Sequence, residues 1–211
     1  MSDPDSPAPD TGRDFNGRPW SPEQFAHAAR NSGYDWVLVQ LYRDQGGDYM
    51  QACREVGLAC GLWDAWPSAE RAQLALSFGP DMVCFQAETG QGQACMDAVG
   101  AAYQANPAMP LAIVTNLEPS RSDSPAGFDV YMQERNVCVQ PEAYASENPD
   151  WQDDPPGFAN SLWSECVRRG YQSIVIVPSV YWGRCVADYK FTPQACFAPY
   201  LAEDMTAAEL A

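Results

Sequence analysis

Two short stretches of this chain carry the same spaced set of side chains capable of acid–base work. Cys84-Phe85-Gln86-Ala87-Glu88 matches Cys138-Val139-Gln140-Pro141-Glu142, a C-x-Q-x-E pattern used twice. Cys60-Gly61-Leu62-Trp63-Asp64 and Leu38-Val39-Gln40-Leu41-Tyr42 follow the same register. Alternate side chains of a strand share a face. Each pattern therefore stacks a small residue lowest, an amide above it and a carboxylate at the rim.

On that reading Glu88, Glu142 and Asp64 are the candidate catalytic carboxylates. Crowded carboxylates in a partly buried cleft raise one another's pKa, so one stays protonated while its neighbour is ionised. Cleavage of a glycosidic bond needs such a pair, one as acid and one as base or nucleophile. Gln40, Tyr42, Gln86 and Gln140 are candidates for orienting the acids or binding hydroxyls. Trp63, Trp66, Trp151, Tyr144, Tyr181 and Trp182 fall at strand ends or in the loops after them, where flat rings with a polar edge suit sugars. Trp36 and Trp163 read instead as core or helix-packing residues. The same features also fit a polar rim without catalysis, or a contact surface for another protein.

Composition narrows the chemistry. Of 211 residues one is histidine, His27, and one is lysine, Lys190, and the formal net charge is −16. Ser-His-Asp and Cys-His catalysis would need His27 itself as the base, and His27, mid-helix between alanines, reads as a surface or packing residue. No metal site and no cofactor is expected. The acidic surface repels phosphate backbones, which argues against nucleic acid as a partner. The eight cysteines include no C-x-x-C pair. Cys60, Cys84 and Cys138 sit in apolar runs, where cysteine acts as a small hydrophobe, and are expected to be reduced. Cys185 and Cys196 flank a loop and are open to either state. Neither a signal peptide nor a membrane span is legible, so synthesis in the cytoplasm without membrane insertion is expected.

The elements that must position these residues alternate regularly. Ser21-Pro22-Glu23-Gln24 is a capping-box helix start and Gly33 its stop. Strands are predicted at Trp36–Tyr42, Leu58–Trp63, Asp81–Ala87, Leu111–Asn116, Val137–Val139, Ser173–Val177 and near Cys196–Leu201. Helices are predicted at Tyr49–Val56, from Ser68 to Phe78, and at Gln91–Gln104, Phe128–Arg135 and from Pro155 to Arg169. Such alternation implies a parallel sheet with helices outside. An open doubly wound sheet would carry a glycine-rich phosphate loop, which is missing. The predicted fold is a single small α/β domain, a (β/α)8-like TIM barrel. It is irregular at its seam, because only Arg13–Gly17 could supply a first strand. Residues 1–18 read as a flexible or irregular N-terminal arm and 19–211 as the barrel.

The run from Phe25 to Trp36 into Val37-Leu38-Val39, the helix Tyr49–Val56 entering Gly57–Trp63, and Tyr200-Leu201-Ala202-Glu203-Asp204 together resemble the phage-type muramidase (lysozyme) family of glycoside hydrolases, and related barrels of phage tail proteins. The resemblance implies a barrel that hydrolyses envelope glycan with an Asp-x-Glu pair ending its fourth strand. The matching positions are Gln86 and Glu88, so the acid is present and its aspartate partner is not. The implied function is a barrel that binds and cleaves a cell-envelope polysaccharide, with virion proteins as further partners and a place in the virion. The alternatives are a silent minor tail protein using the barrel as scaffold, and a cytoplasmic barrel enzyme acting on a small metabolite.

Overall fold

A computed structural model of the chain describes residues 21–41, 46–88, 90–115, 125–143, 154–175 and 177–178. Within them helices and strands alternate: α1 (Pro22–Asn31), β1 (Trp36–Gln40), α2 (Gly46–Glu55), β2 (Ala59–Asp64), α3 (Ala69–Ser77), β3 (Met82–Gln86), α4 (Gly92–Ala105), β4 (Leu111–Thr115), α5 (Phe128–Glu134), β5 (Cys138–Ala143), α6 (Pro155–Arg168) and β6 (Val177–Pro178). The six strands form one sheet in the order β1-β2-β3-β4-β5-β6, and each neighbouring pair is parallel. Strictly sequential order means that every crossover has the same sense and every crossover helix lies on one side. That is the winding of a (β/α) barrel; a doubly wound sheet reverses its order midway. The fold is thus α/β and TIM-barrel-like, as the alternation predicts. Arg13–Gly17, Cys196–Leu201 and the proposed arm lie outside the described residues.

Local chemistry explains the boundaries. Ser21 accepts from Gln24 N–H, and the Gln24 side chain returns the bond to Ser21 N–H, closing the capping box at the start of α1. Ser68 caps α3 in the same way through Arg71 N–H. Gly57 ends α2 with φ +74°, a left-handed conformation that costs a side chain about 1–2 kcal/mol.

Between sheet and helices lies the main core, where Val37, Val39, Leu62, Val83, Phe85, Leu111, Ile113 and Val139 meet the apolar faces of the helices. The other face of the sheet, the barrel interior, carries Leu38, Trp63, Met82, Cys84, Ala112, Val114 and Cys138. Trp36 and Trp163 depart from the core role expected of them, since each is 48% exposed. Trp36 opens β1 on the inner face, and Phe158, Leu162 and Cys166 take the buried side of α6 in place of Trp163.

Candidate functional site at the barrel interior

Register decides which candidates meet. Leu38 pairs with Gly61 and Gly61 with Met82. Gln40, Trp63, Cys84, Ala112 and Cys138 form the next level, and Gln86, Val114 and Gln140 the level above. The two C-x-Q segments therefore lie at matching heights on β3 and β5, with β4 between them. Gln40 shares their face one level lower.

The Cys60–Asp64 segment does not share that register. Trp63, not Cys60, aligns with Cys84, so Cys60, Leu62 and Asp64 point to the helices and Gly61 and Trp63 point inward. With a period of two, a shift by an odd number of residues moves every side chain to the opposite face. Asp64 is fully buried and bound by Arg71, whose Nε lies 2.9 and 2.6 Å from its two carboxylate oxygens. Trp66 N–H also donates to it at 3.0 Å, and Arg71 Nη2 donates to the Leu41 carbonyl at 2.7 Å. Arg71 stacks 6.0 Å from the Trp66 ring centroid. Asp64, Trp66 and Arg71 thus fasten the ends of β1 and β2 to α3.

Glu88 lies just beyond β3 and is exposed. Gln86 Nε2 donates to its carboxylate, while Glu88 N–H donates to Gln91 Oε1 at 3.3 Å. Gln91 in turn donates to the Ala65 carbonyl at 3.1 Å, which ties the loop after β3 to the loop after β2.

Glu142 has a different setting. It stands two residues above Gln140 on the inner face of β5, and both line a cavity of about 700 Å³. Leu38, Trp63 and Val114 form its inner wall, and Phe25 and Tyr34 close it from the α1 side. Gln140 is 2% exposed, and its Oε1 accepts from the Cys84 thiol at 3.8 Å. The Trp63 indole N–H is buried without a partner. Burial pushes the Cys84 thiol well above its ordinary pKa, with smaller contributions from Cys95 and Cys138, so it sits in the wall as a neutral thiol.

Tyr42, Tyr144, Trp151, Tyr181 and Trp182 lie outside the described residues. His27 is exposed on α1, away from the interior. Among the described residues no three of His, Cys, Asp and Glu gather where they could hold a metal ion. Sequence reasoning missed the contribution of α1: Phe25, Ala28 and Ser32 recur at helical spacing on the face that meets the cavity.

The fold and this interior define a small TIM-barrel-like α/β domain with a polar-headed, apolar-walled cavity. No family model matches the chain, and no curated protein does. Among solved structures it is similar to an HpcH/HpaI aldolase from Desulfitobacterium hafniense DCB-2, at 10% identity, a TM-score of 0.43, and coverage of 75% of this chain and 82% of that one.

These findings correct the muramidase resemblance. No model of that family or any other matches, and the solved structure named here is an aldolase, not a glycoside hydrolase or a tail protein. The readings as a polysaccharide-cleaving barrel and as a silent virion scaffold fall with it. The segments that carried the resemblance are two helix–glycine–strand units, with Gly33 at φ +88° and Gly57 at φ +74°. That punctuation reports a (β/α) repeat and nothing about its chemistry.

Proposed function

We propose that this chain is a barrel enzyme acting on a small carbonyl compound, moving a proton at the carbon beside the carbonyl with Glu142 as its base. One observation carries the reading: buried Gln140 and Glu142 share the inner face of β5 on the wall of an interior cavity. Chemically the two groups are complementary. Taking a proton from such a carbon sends the bonding electron pair onto the carbonyl oxygen, which then needs hydrogen-bond donors in a dry site. The Gln140 amide offers two N–H groups, and the indole N–H of Trp63 is a further donor on the same wall. A carboxylate accepts the proton and returns it, leaving its charge restored.

Histidine and lysine do not compete for this role among the described residues. His27 is on the outside, and the chain's one lysine, Lys190, lies outside the described residues. Gln86 and Glu88, hydrogen-bonded to each other at the exposed end of β3, would act at the entrance rather than on the reacting carbon.

Solvent exchange tests this without knowledge of the physiological substrate. Incubated in D₂O with a panel of small ketones, aldehydes and hydroxyketones, the protein should place deuterium beside the carbonyl of at least one of them, read by proton NMR. Glu142→Gln should slow that exchange by about 10²-fold or more, the usual contribution of a positioned general base. If no compound exchanges above the buffer rate, or if Glu142→Gln exchanges as fast as the parent chain, the reading is wrong.

A further inference from the structure

Resting on that proton-transfer reading, we infer that the substrate of this site is an uncharged carbonyl compound with an apolar body, the carbonyl held at Gln140 and the body lying along Leu38 and Trp36. The cavity wall is what selects it. About 700 Å³ is room for a small organic molecule with a body of several carbons, well beyond a two- or three-carbon fragment. Most of the lining is aliphatic or aromatic, including Phe25, Trp36, Val37, Leu38 and Val114.

Charge excludes the commoner polar substrates. No arginine, lysine or histidine is among the described residues lining the cavity, while Glu142 is. A carboxylate or phosphate would meet no counter-charge among the described lining residues, and would face Glu142 and a net charge of −16. An ammonium group would suit Glu142 but would leave the donors of Gln140 and Trp63 facing another donor. A neutral carbonyl satisfies the donors, among them the Trp63 indole N–H, which is buried without a partner. Its apolar body covers walls that otherwise face water, for Trp36 is 48% and Tyr34 60% exposed.

Three probes with one body separate these cases: acetophenone, benzoate and benzylamine, titrated by ligand-observed NMR and calorimetry. Acetophenone should bind saturably, at least about tenfold tighter than either charged probe. Gln140→Leu should weaken it by about tenfold, the equivalent of one net hydrogen bond, with unchanged circular dichroism. Should that buried substitution disturb folding, Trp36→Arg gives an independent reading. Trp36 is half exposed and tolerates change, and an arginine there supplies the missing counter-charge. It should raise benzoate affinity above that of acetophenone. Equal or tighter binding of benzoate or benzylamine to the unaltered protein would overturn the inference, as would acetophenone binding that ignores both substitutions. Saturable acetophenone binding without Glu142-dependent exchange on any ketone would sink the reaction and leave the ligand class standing. Glu142-dependent exchange confined to carboxylate-bearing ketones would do the reverse.

Discussion

Two carboxylates of this chain show how differently a single acidic side chain can be employed. Asp64 is fully buried against the Arg71 fork, and Arg71 also holds the Leu41 carbonyl at the end of β1. Removing one member of a buried pair strands the other charge away from water. Arg71→Ala should therefore destabilise the protein by about 3–5 kcal/mol in urea denaturation, while Asp64→Leu with Arg71→Met should cost less. A double substitution as damaging as the single one would show that the fork matters for its geometry rather than for balancing charge. Glu165 is the second case. Hydrogen bonds from Arg168, and then from Arg169, hold its carboxyl down to about 2 against an ordinary 4.5. Because the folded value is the lower one, its contribution is complete above about pH 4.5 and is lost as pH falls toward 2. Unfolding free energy measured at pH 5.5 and at pH 3 should fall less in Glu165→Gln than in the parent chain. Arg168 is 70% exposed, so added salt should shrink the difference. An identical fall in both proteins would remove Glu165 from the acid response.

At the scale of elements, glycine marks two different constraints. Gly57 ends α2 in a left-handed conformation, and a Cβ there would meet nothing within 4 Å. Its constraint is backbone alone. Gly61 sits in the middle of β2 with ordinary backbone, but a Cβ would lie 2.5 Å from Leu38 Cδ2 and 3.1 Å from the Met82 carbonyl. Its constraint is room on the inner face. Gly57→Ala should cost about 1 kcal/mol, and Gly57→Asn less, since asparagine tolerates that conformation. Gly61→Ala should also destabilise, with no recovery in Gly61→Asn. Thermal melts of the four variants check both statements. If Gly61→Ala melts with the parent chain, Leu38 moves freely and the interior is less tightly walled than its register implies.

For the molecule as a whole, the distribution of sulfur reports how the sheet divides inside from outside. Cys53, Cys60, Cys84, Cys95, Cys138 and Cys166 are free, and all but the half-buried Cys138 are buried. Burial pushes Cys166 up to about 12, and Cys60, Cys84 and Cys95 higher still. These thiols hardly ionise at pH 8, and the thiolate is the reactive form. Of these six, an aromatic disulfide reagent should label Cys138 first in the native protein and leave the other five nearly unreacted. In denaturant, without reductant, at least six thiols should titrate. Rapid native labelling of Cys84 or Cys95 would mean that the interior opens far more readily than this packing implies.

Much of this organisation was legible in the residues themselves. The Ser21 capping box, the stops at Gly33 and Gly57, and the apolar runs beginning at Trp36, Leu58, Asp81 and Leu111 locate their elements to within a few residues. Helix caps, positive φ and periodicity are local physics, so neighbours in sequence determine them. The regular alternation then leaves a parallel sheet as its one economical outcome. What the residues could not set was which face each strand shows and what covers it. Asp64 sits in a motif that reads like those of Glu88 and Glu142. Yet β2 is offset by three residues, an odd number, with Trp63 rather than Cys60 opposite Cys84, and this turns Asp64 toward Arg71, seven positions along the chain and on another element. Trp36 reads as core, and only the position of β1 leaves it half exposed on a cavity wall. Glu88 and Glu142 occupy equivalent places in two copies of one pattern. One ends at the exposed tip of β3 and the other on an interior wall facing α1, a helix more than a hundred residues earlier in the chain. Register and long-range packing are set by the summed burial of many side chains at once, and no local window of sequence contains that sum.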